Sequence, residues 1–76
     1  MQKSIHSDRQ ERLRLLLKAG RKEAGLTQDQ LAAKIGAYKS FVSKYERGER
    51  QLDVIEFVDV CVALELDPHD IVNKLR

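Results

Sequence analysis

Residues 27–48 read TQDQLAAKIGAYKSFVSKYERG, and this stretch decides the fold. Thr27 followed three residues on by Gln30 has the spacing of a capping box, in which two side chains satisfy two backbone N–H groups at a helix start. Gly36 supplies the stop, so a short helix is expected over Gln28–Ile35. After a three-residue turn, a second short helix is expected over Lys39–Arg47, stopped by Gly48. Two helices crossing at a tight turn need apolar or small residues at fixed places and a turn residue that accepts positive φ. Counting Gln28 as one, Leu31 falls at four, Ala32 at five, Ile35 at eight, Gly36 at nine, Ala37 at ten, Val42 at fifteen and Tyr45 at eighteen. Each slot of a helix-turn-helix holds an acceptable residue.

The second helix of the pair has two unlike sides. At ~100° per residue, Val42, Tyr45 and Tyr38 share the side turned to the core, with Phe41 beside Tyr45 as partial core. Ser40 and Lys44 fall opposite, and Ser43 and Arg47 flank them; Lys39 stands in the first turn. This outward face carries hydrogen-bonding groups and no carboxylate. Lysine donates to the O6 and N7 acceptors of guanine, and serine donates or accepts at several bases. Lys39, Ser40, Ser43 and Lys44 are therefore the candidate base readers. Phosphate contacts are expected from Thr27 and Gln28, whose backbone N–H groups open the preceding helix and attract anions. Arg47 and Arg50 are placed to hold the DNA backbone on the other flank.

Working outward, helix signals continue in both directions. Ser7 and Gln10 have capping-box spacing ahead of Asp8–Ala24, a stretch rich in helix formers. Leu13, Leu16, Leu17, Gly20 and Ala24 recur there at three- and four-residue steps, and Gly25 stops the helix. Gly20 in mid-helix costs ~1 kcal/mol against Ala, and close approach of another helix is the expected compensation. Asp53 with Glu56 opens a fourth helix, Val54–Leu64. Asp67 caps a fifth, with Pro68 at its first position, where the missing N–H does no harm, and its end near Leu75. No segment alternates as a strand does. A chain of 76 residues makes one domain, 1–76 with its core over about 8–75.

Composition narrows the function classes. Apolar residues make up 42% and charged residues 34%, which suits a folded soluble chain. A chain this short buries only ~60% of its unfolded surface, so packing, caps and a second copy must supply its stability. One cysteine, Cys61, allows no internal disulfide; it lies within an apolar stripe and reads as a packed thiol. His6 and His69 stand far apart and read as surface residues, so no metal site is expected. No cofactor, small-molecule ligand or catalytic set is indicated, and the chain does not read as an enzyme. No apolar run is long enough to span a membrane. With a free thiol and no secretory pattern over Met1–Ser7, a cytoplasmic location is expected. Charge is lopsided: residues 1–25 hold seven Lys/Arg against three Asp/Glu, and residues 51–76 hold two against six. A basic end of this kind suits a polyanionic partner.

The run Gly25-Leu26-Thr27-Gln28-Asp29-Gln30-Leu31-Ala32, then Gly36, then Val42-Ser43-Lys44-Tyr45-Glu46-Arg47-Gly48, resembles the phage-repressor and Cro type of helix-turn-helix, the XRE family. The similarity covers roughly residues 10–73. It implies an all-α, five-helix, lambda-repressor-like domain whose third helix reads double-stranded DNA. It also implies that Gln28 contacts the sugar-phosphate backbone and buttresses the reading helix. Arg21 and Glu46 match a family pairing between helix one and the end of helix three; as an exposed pair it would add only ~0–1 kcal/mol, its value being geometric. Tyr38 departs from the pattern, since that slot usually holds Ser, Thr or another small capping residue. Its phenol either reaches a phosphate or lies over the turn.

The fourth helix is too apolar for its size. Val54, Phe57, Cys61 and Leu64 make a core stripe, and Ile55, Val58 and Val62 make a second beside it. A helix apolar on most sides needs cover on most sides. A second subunit would cover that stripe, with Val72 or Leu75 joining the patch; the alternative is the N-terminal arm around Ile5. A two-fold dimer reads a palindrome with half-sites ~34 Å apart. The leading expectation is thus a homodimeric, sequence-specific transcriptional regulator, nucleoid-associated when bound to DNA. The second is a protein-interaction module, or an antitoxin-like partner, whose apolar fourth-helix surface is the functional site.

Overall fold

The computed structural model describes residues 7–76, and the expectations for Ile5 and His6 lie outside the described residues. Five helices follow in order: α1 (Asp8–Glu23), α2 (Gln28–Lys34), α3 (Phe41–Glu46), α4 (Val54–Ala63) and α5 (Pro68–Leu75). The side-chain caps stand where their spacing placed them. Ser7 accepts from the Gln10 N–H, and both Thr27/Gln30 and Asp53/Glu56 form complete, reciprocal capping boxes. Asp67 accepts from the His69 N–H, with Pro68 opening α5. Gly25, Gly36 and Gly48 each take positive φ just past a helix end, which leaves the preceding carbonyls paired with returning N–H groups.

One core serves all five helices. Leu17 of α1, Leu31 and Ala32 of α2, Phe41, Val42 and Tyr45 of α3, Val60, Cys61 and Ala63 of α4 with Leu64 at its C-cap, and Ile71 of α5 are buried together. Phe41 is therefore full core rather than partial core. Burial pushes the Cys61 thiol up to about 11, which keeps it a packed, protonated group. The Tyr45 hydroxyl is buried without a hydrogen-bond partner among the described residues. Helices α1 and α5 are tied at their ends: Arg9 Nε donates to the Leu75 carbonyl and Arg12 Nη1 to the Lys74 carbonyl. These bonds satisfy acceptors that the end of α5 cannot satisfy within the helix.

Several expectations need correction. Helix three starts at Phe41, not Lys39; Ser40 stands at its N-cap without a side-chain capping bond, so Lys39 belongs to the turn. Tyr38, expected on the core side, precedes the helix and is half-exposed. Ala24 is exposed at the end of α1. The close approach at Gly20 comes from the α4–α5 connection, not from another helix: a Cβ there would lie 2.8 Å from Leu66 Cδ1. On α4, Val54 is exposed and Val60 is fully buried. The phase explains both. With Phe57 at 0° and ~100° per residue, Leu64, Val60 and Cys61 fall between 300° and 40°, facing the core. Val54, Val58, Val62 and Ile55 fall in one arc from 60° to 160°, and Val54 also sits in the first turn.

The α4 C-terminus ends without a glycine. Glu65 takes φ 57° there, and its N–H and that of Leu66 return to the Val62 and Cys61 carbonyls. A side chain in the left-handed region costs ~1–2 kcal/mol, against ~0.5–1 kcal/mol of extra unfolded-state freedom for glycine. Glu65→Gly is therefore expected to stabilise the domain by about 0.5–1 kcal/mol, read as a higher urea midpoint at unchanged m-value. A lower midpoint would mean that the Glu65 side chain contributes more than its backbone costs.

Candidate nucleic-acid interface

The site begins with a buried ion pair. Arg21, in the last turns of α1, donates from Nε to Glu46 Oε2 at 2.8 Å and from Nη2 to Oε1 at 3.1 Å. The side chains are only 10% and 3% exposed, so the expectation of an exposed pair is corrected. Two more bonds complete the cluster. Arg21 Nη1 donates to the Leu26 carbonyl at 2.8 Å, and Gln28 Nε2 donates to Glu46 Oε1 at 2.9 Å. The hydrogen bonds to Glu46 hold the Arg21 guanidinium above its ordinary range, against the cost of its burial. Four elements thus meet in one cluster: α1, the start of α2 and the end of α3 at the Glu46 carboxylate, and the α1–α2 connection at the Arg21 guanidinium. The cluster fixes how α3 sits on the scaffold.

From that anchor, α3 turns Val42 and Tyr45 inward and leaves Lys44, Arg47 and the preceding Lys39 exposed, with Ser40 and Ser43 half-buried. Ser43 Oγ donates to the Ser40 carbonyl, which commits its proton and leaves it acceptor capacity only. The outward side is less free of carboxylates than its own sequence implies, because neighbours approach it. Lys39 Nζ stands 3.9 Å from Asp29 Oδ2, with side chains 86% and 62% exposed, and Arg47 Nε lies 2.6 Å from Glu49 Oε2, again exposed. Exposed pairs of this kind are worth ~0–1 kcal/mol, so a phosphate or a guanine edge can displace the carboxylate. Lys44 has no ion-pair partner among the described residues; its ammonium lies 5.9 Å from the centre of the Tyr38 ring.

Arg50 behaves differently. Its Nη1 and Nη2 donate to Glu56 at 2.8 and 2.6 Å, Nη1 also donates to the Gln51 carbonyl, and its guanidinium lies 4.9 Å over the Phe41 ring. Glu56 is the residue that completes the α4 capping box. The bonds from Arg50, then that from the Asp53 N–H, hold its carboxyl below the ordinary 4.5. Arg50 therefore joins α3 to the start of α4, with most of its donors committed. The sequence placed Arg50 on the flank but contained no sign of this pairing, which depends on how the 48–53 loop folds back.

Tyr38 lies over the turn. Its ring meets Phe41 edge-on at 5.7 Å, and Phe41 meets Tyr45 edge-on at 5.5 Å. Gln28 stands with its amide on Glu46, and Thr27 is exposed beside it. On the far side, Ile55 and Val62 are 68% and 67% exposed, Val54 and Val72 are exposed, and Val58 is half-buried. Leu75 is half-buried and packs partly against the chain's own core. Among the described residues no group of three or more His, Cys, Asp or Glu stands together to hold a metal, and no helix is long and apolar enough to cross a membrane.

A family model described as Helix-turn-helix matches residues 17–71. The fold also matches solved structures. An XRE-family like protein from Pseudomonas syringae pv. tomato str. DC3000 is 49% identical with a TM-score of 0.86, over 93% of this chain and 87% of that one. The restriction-modification controller protein C.Esp1396I, solved as a tetramer in complex with its natural 35 base-pair operator, is 26% identical with a TM-score of 0.81, over 92% of each chain. The clp gene regulator ClgR from Corynebacterium glutamicum is 25% identical with a TM-score of 0.80, over 91% of this chain and 73% of that one. A search of curated protein sequences finds no match.

The buried cluster makes a stability prediction. Arg21→Met leaves the Glu46 carboxylate buried without its cation and is expected to cost about 3–5 kcal/mol in chemical denaturation. Arg21→Met combined with Glu46→Leu is expected to recover most of that loss, since neither charge is then stranded. Equal losses in the single and double variants would show that packing, not charge pairing, holds this corner.

Proposed function

Because the chain belongs to the XRE-type helix-turn-helix family, we propose that it is a transcriptional regulator that binds a palindromic DNA operator as a homodimer. Each subunit lays α3 and the turn before it in the major groove. The family and fold are those of DNA-binding regulators, not of enzymes. The observation that carries the reading is the two-sidedness of α3: Val42 and Tyr45 are fully buried while Lys39, Lys44 and Arg47 stand exposed on the opposite side. The Arg21–Glu46–Gln28 cluster at its C-terminal end holds the helix at a fixed angle, which groove entry requires. C.Esp1396I on its operator supports DNA as the ligand.

In this reading Lys39, Ser40, Ser43 and Lys44 meet base edges. Thr27, Gln28 and Arg47 grip the sugar-phosphate backbone, and Arg50 lends its remaining donors while bracing α3 against α4. Positioning and reading are separate tasks, and they separate in a measurement. Lys44→Ala is expected to cut affinity for the preferred duplex by ~1–3 kcal/mol and relax preference at one base position; Arg47→Ala is expected to weaken all duplexes alike and to lower the salt slope by about one. A uniform loss for Lys44→Ala would move it to the phosphate set. The test of the function itself is selection of bound duplexes from a random pool. Enrichment of a palindrome supports it; no enrichment would leave the apolar α4 face as the working surface, that of an interaction module or antitoxin-like partner.

The second copy is proposed to pack on the arc of Val54, Ile55, Val58 and Val62, with Val72 at its margin. Monomers rarely leave such a contiguous apolar face in water. Val62→Glu puts a charge there without touching the core. In sedimentation velocity it is expected to run at the 8.7 kDa of one chain, while the unaltered protein runs at twice that. A monomeric unaltered protein would remove the dimer from the proposal.

A further inference from the structure

An aromatic ring half-open to solvent is out of place on a cationic, groove-facing surface. Tyr38 is 51% exposed, yet it is not loose. Its ring stands edge-on to Phe41, Phe41 stands edge-on to Tyr45, and both of those are buried. The three rings form a stack from the core to the surface, with the Arg50 guanidinium on the Phe41 face. Edge-to-face packing holds the Tyr38 ring against the turn. Its open part lies beside Lys44, whose ammonium is 5.9 Å from the ring centre. A fixed apolar surface and a cationic donor therefore sit side by side at the leading end of α3.

We infer that Tyr38 and Lys44 together read a two-base step: a pyrimidine bearing a C5 methyl, packed on the Tyr38 ring, beside a guanine that accepts from the Lys44 ammonium. The chemistry follows from what the major groove offers. Its base edges are polar except for one apolar group, the methyl at pyrimidine C5. Guanine presents two acceptors, O6 and N7, and a lysine is a suitable donor for them. A ring held in place has little freedom to lose on contact, so a small methyl can register. Lys44 over the ring is likewise partly ordered before DNA arrives. The methyl has two sources, thymine and 5-methylcytosine. This inference rests on the regulator reading, and it assigns Tyr38 to base reading through its ring rather than to phosphate through its hydroxyl.

The experiment uses the full chain and the duplex it selects from the random pool. Each thymine of one half-site, with its symmetry mate, is replaced by deoxyuridine, which removes only the C5 methyl. Binding is measured by fluorescence anisotropy for the unaltered protein, Tyr38→Phe and Tyr38→Ala, each first checked for a cooperative melt. At one position next to a guanine, loss of the methyl is expected to weaken the unaltered protein about three- to tenfold. Tyr38→Phe is expected to keep that discrimination and Tyr38→Ala to lose it. At the same position a C·G pair is expected to bind weakly. Recovery on methylating that cytosine at C5 shows that both sources are read, and no recovery restricts the reader to thymine.

The inference is overturned if deoxyuridine is neutral at every position, or if its effect persists undiminished in Tyr38→Ala. It is also overturned if Tyr38→Phe weakens all duplexes equally, since that marks a phosphate contact by the phenol. Failure of the pool to enrich any duplex overturns the regulator reading itself, and is seen before any variant is measured. Tyr38→Ala that does not melt cooperatively leaves Tyr38→Phe and the deoxyuridine series to decide between methyl and phosphate.

Discussion

The rest of the molecule depends on one carboxylate. Glu46 is 97% withdrawn from solvent by its side chain's exposure of 3%, and a bare carboxylate there would be costly to hold ionised. It is held because Arg21 and Gln28 fill its oxygens, and Arg21 is in turn held by the Leu26 carbonyl. Each partner comes from a different element, so the cluster is satisfied only in one arrangement of α1, α2 and α3. Apolar contacts alone tolerate small slides, because they have no preferred direction. A two-pronged guanidinium–carboxylate contact has a plane and a direction. In a domain this thin, that directional constraint sets the angle at which α3 leaves the surface.

The helices were legible because local chemistry ends them. Thr27/Gln30 and Asp53/Glu56 form their boxes within four residues, and Gly25, Gly36 and Gly48 turn the chain just where a positive φ is needed. None of that requires knowledge of the fold. What failed to show was set by long-range packing. For Val54 and Val60 the signal was present in the phase: at ~100° per residue, Val60 falls beside Phe57, Cys61 and Leu64 while Val54 falls in the outer arc. The start of α3 was misread because Lys39 and Ser40 are adequate helix formers whose place in the turn is imposed by Tyr38 and Phe41 packing. Glu65 gave no signal at all, since nothing about glutamate announces a left-handed residue. The candidate site was partly legible: the outward polar set was readable from angle. Burial of the Arg21–Glu46 pair was not, because the two residues stand 25 apart in sequence.

Carboxylates temper the charge of the α3 surface. Asp29 and Glu49 sit on Lys39 and Arg47 in exposed, weak pairs, and such pairs exchange readily for a phosphate. A polyanion bound at this surface must first displace them, at the same small cost of ~0–1 kcal/mol per pair whatever its sequence. The formal net charge is only +2, and at this surface the cations of Lys39 and Arg47 are tempered by acidic neighbours.

Arg50 shows how the two ends of the domain communicate. Its guanidinium lies on Phe41, which is part of α3, and grips Glu56, which caps α4. Glu56 Oε1 accepts from both the Asp53 N–H and Arg50, so a shift of α4 that strains the cap also strains the arginine. The apolar arc of α4 and the reading helix are therefore joined by a short chain of directional contacts rather than by general packing. In a dimer formed through that arc, the separation of the two reading helices is set by α4 and carried to them through Glu56, Arg50 and Phe41. The distance between the two copies of α3 then becomes a property of this linkage as much as of the interface.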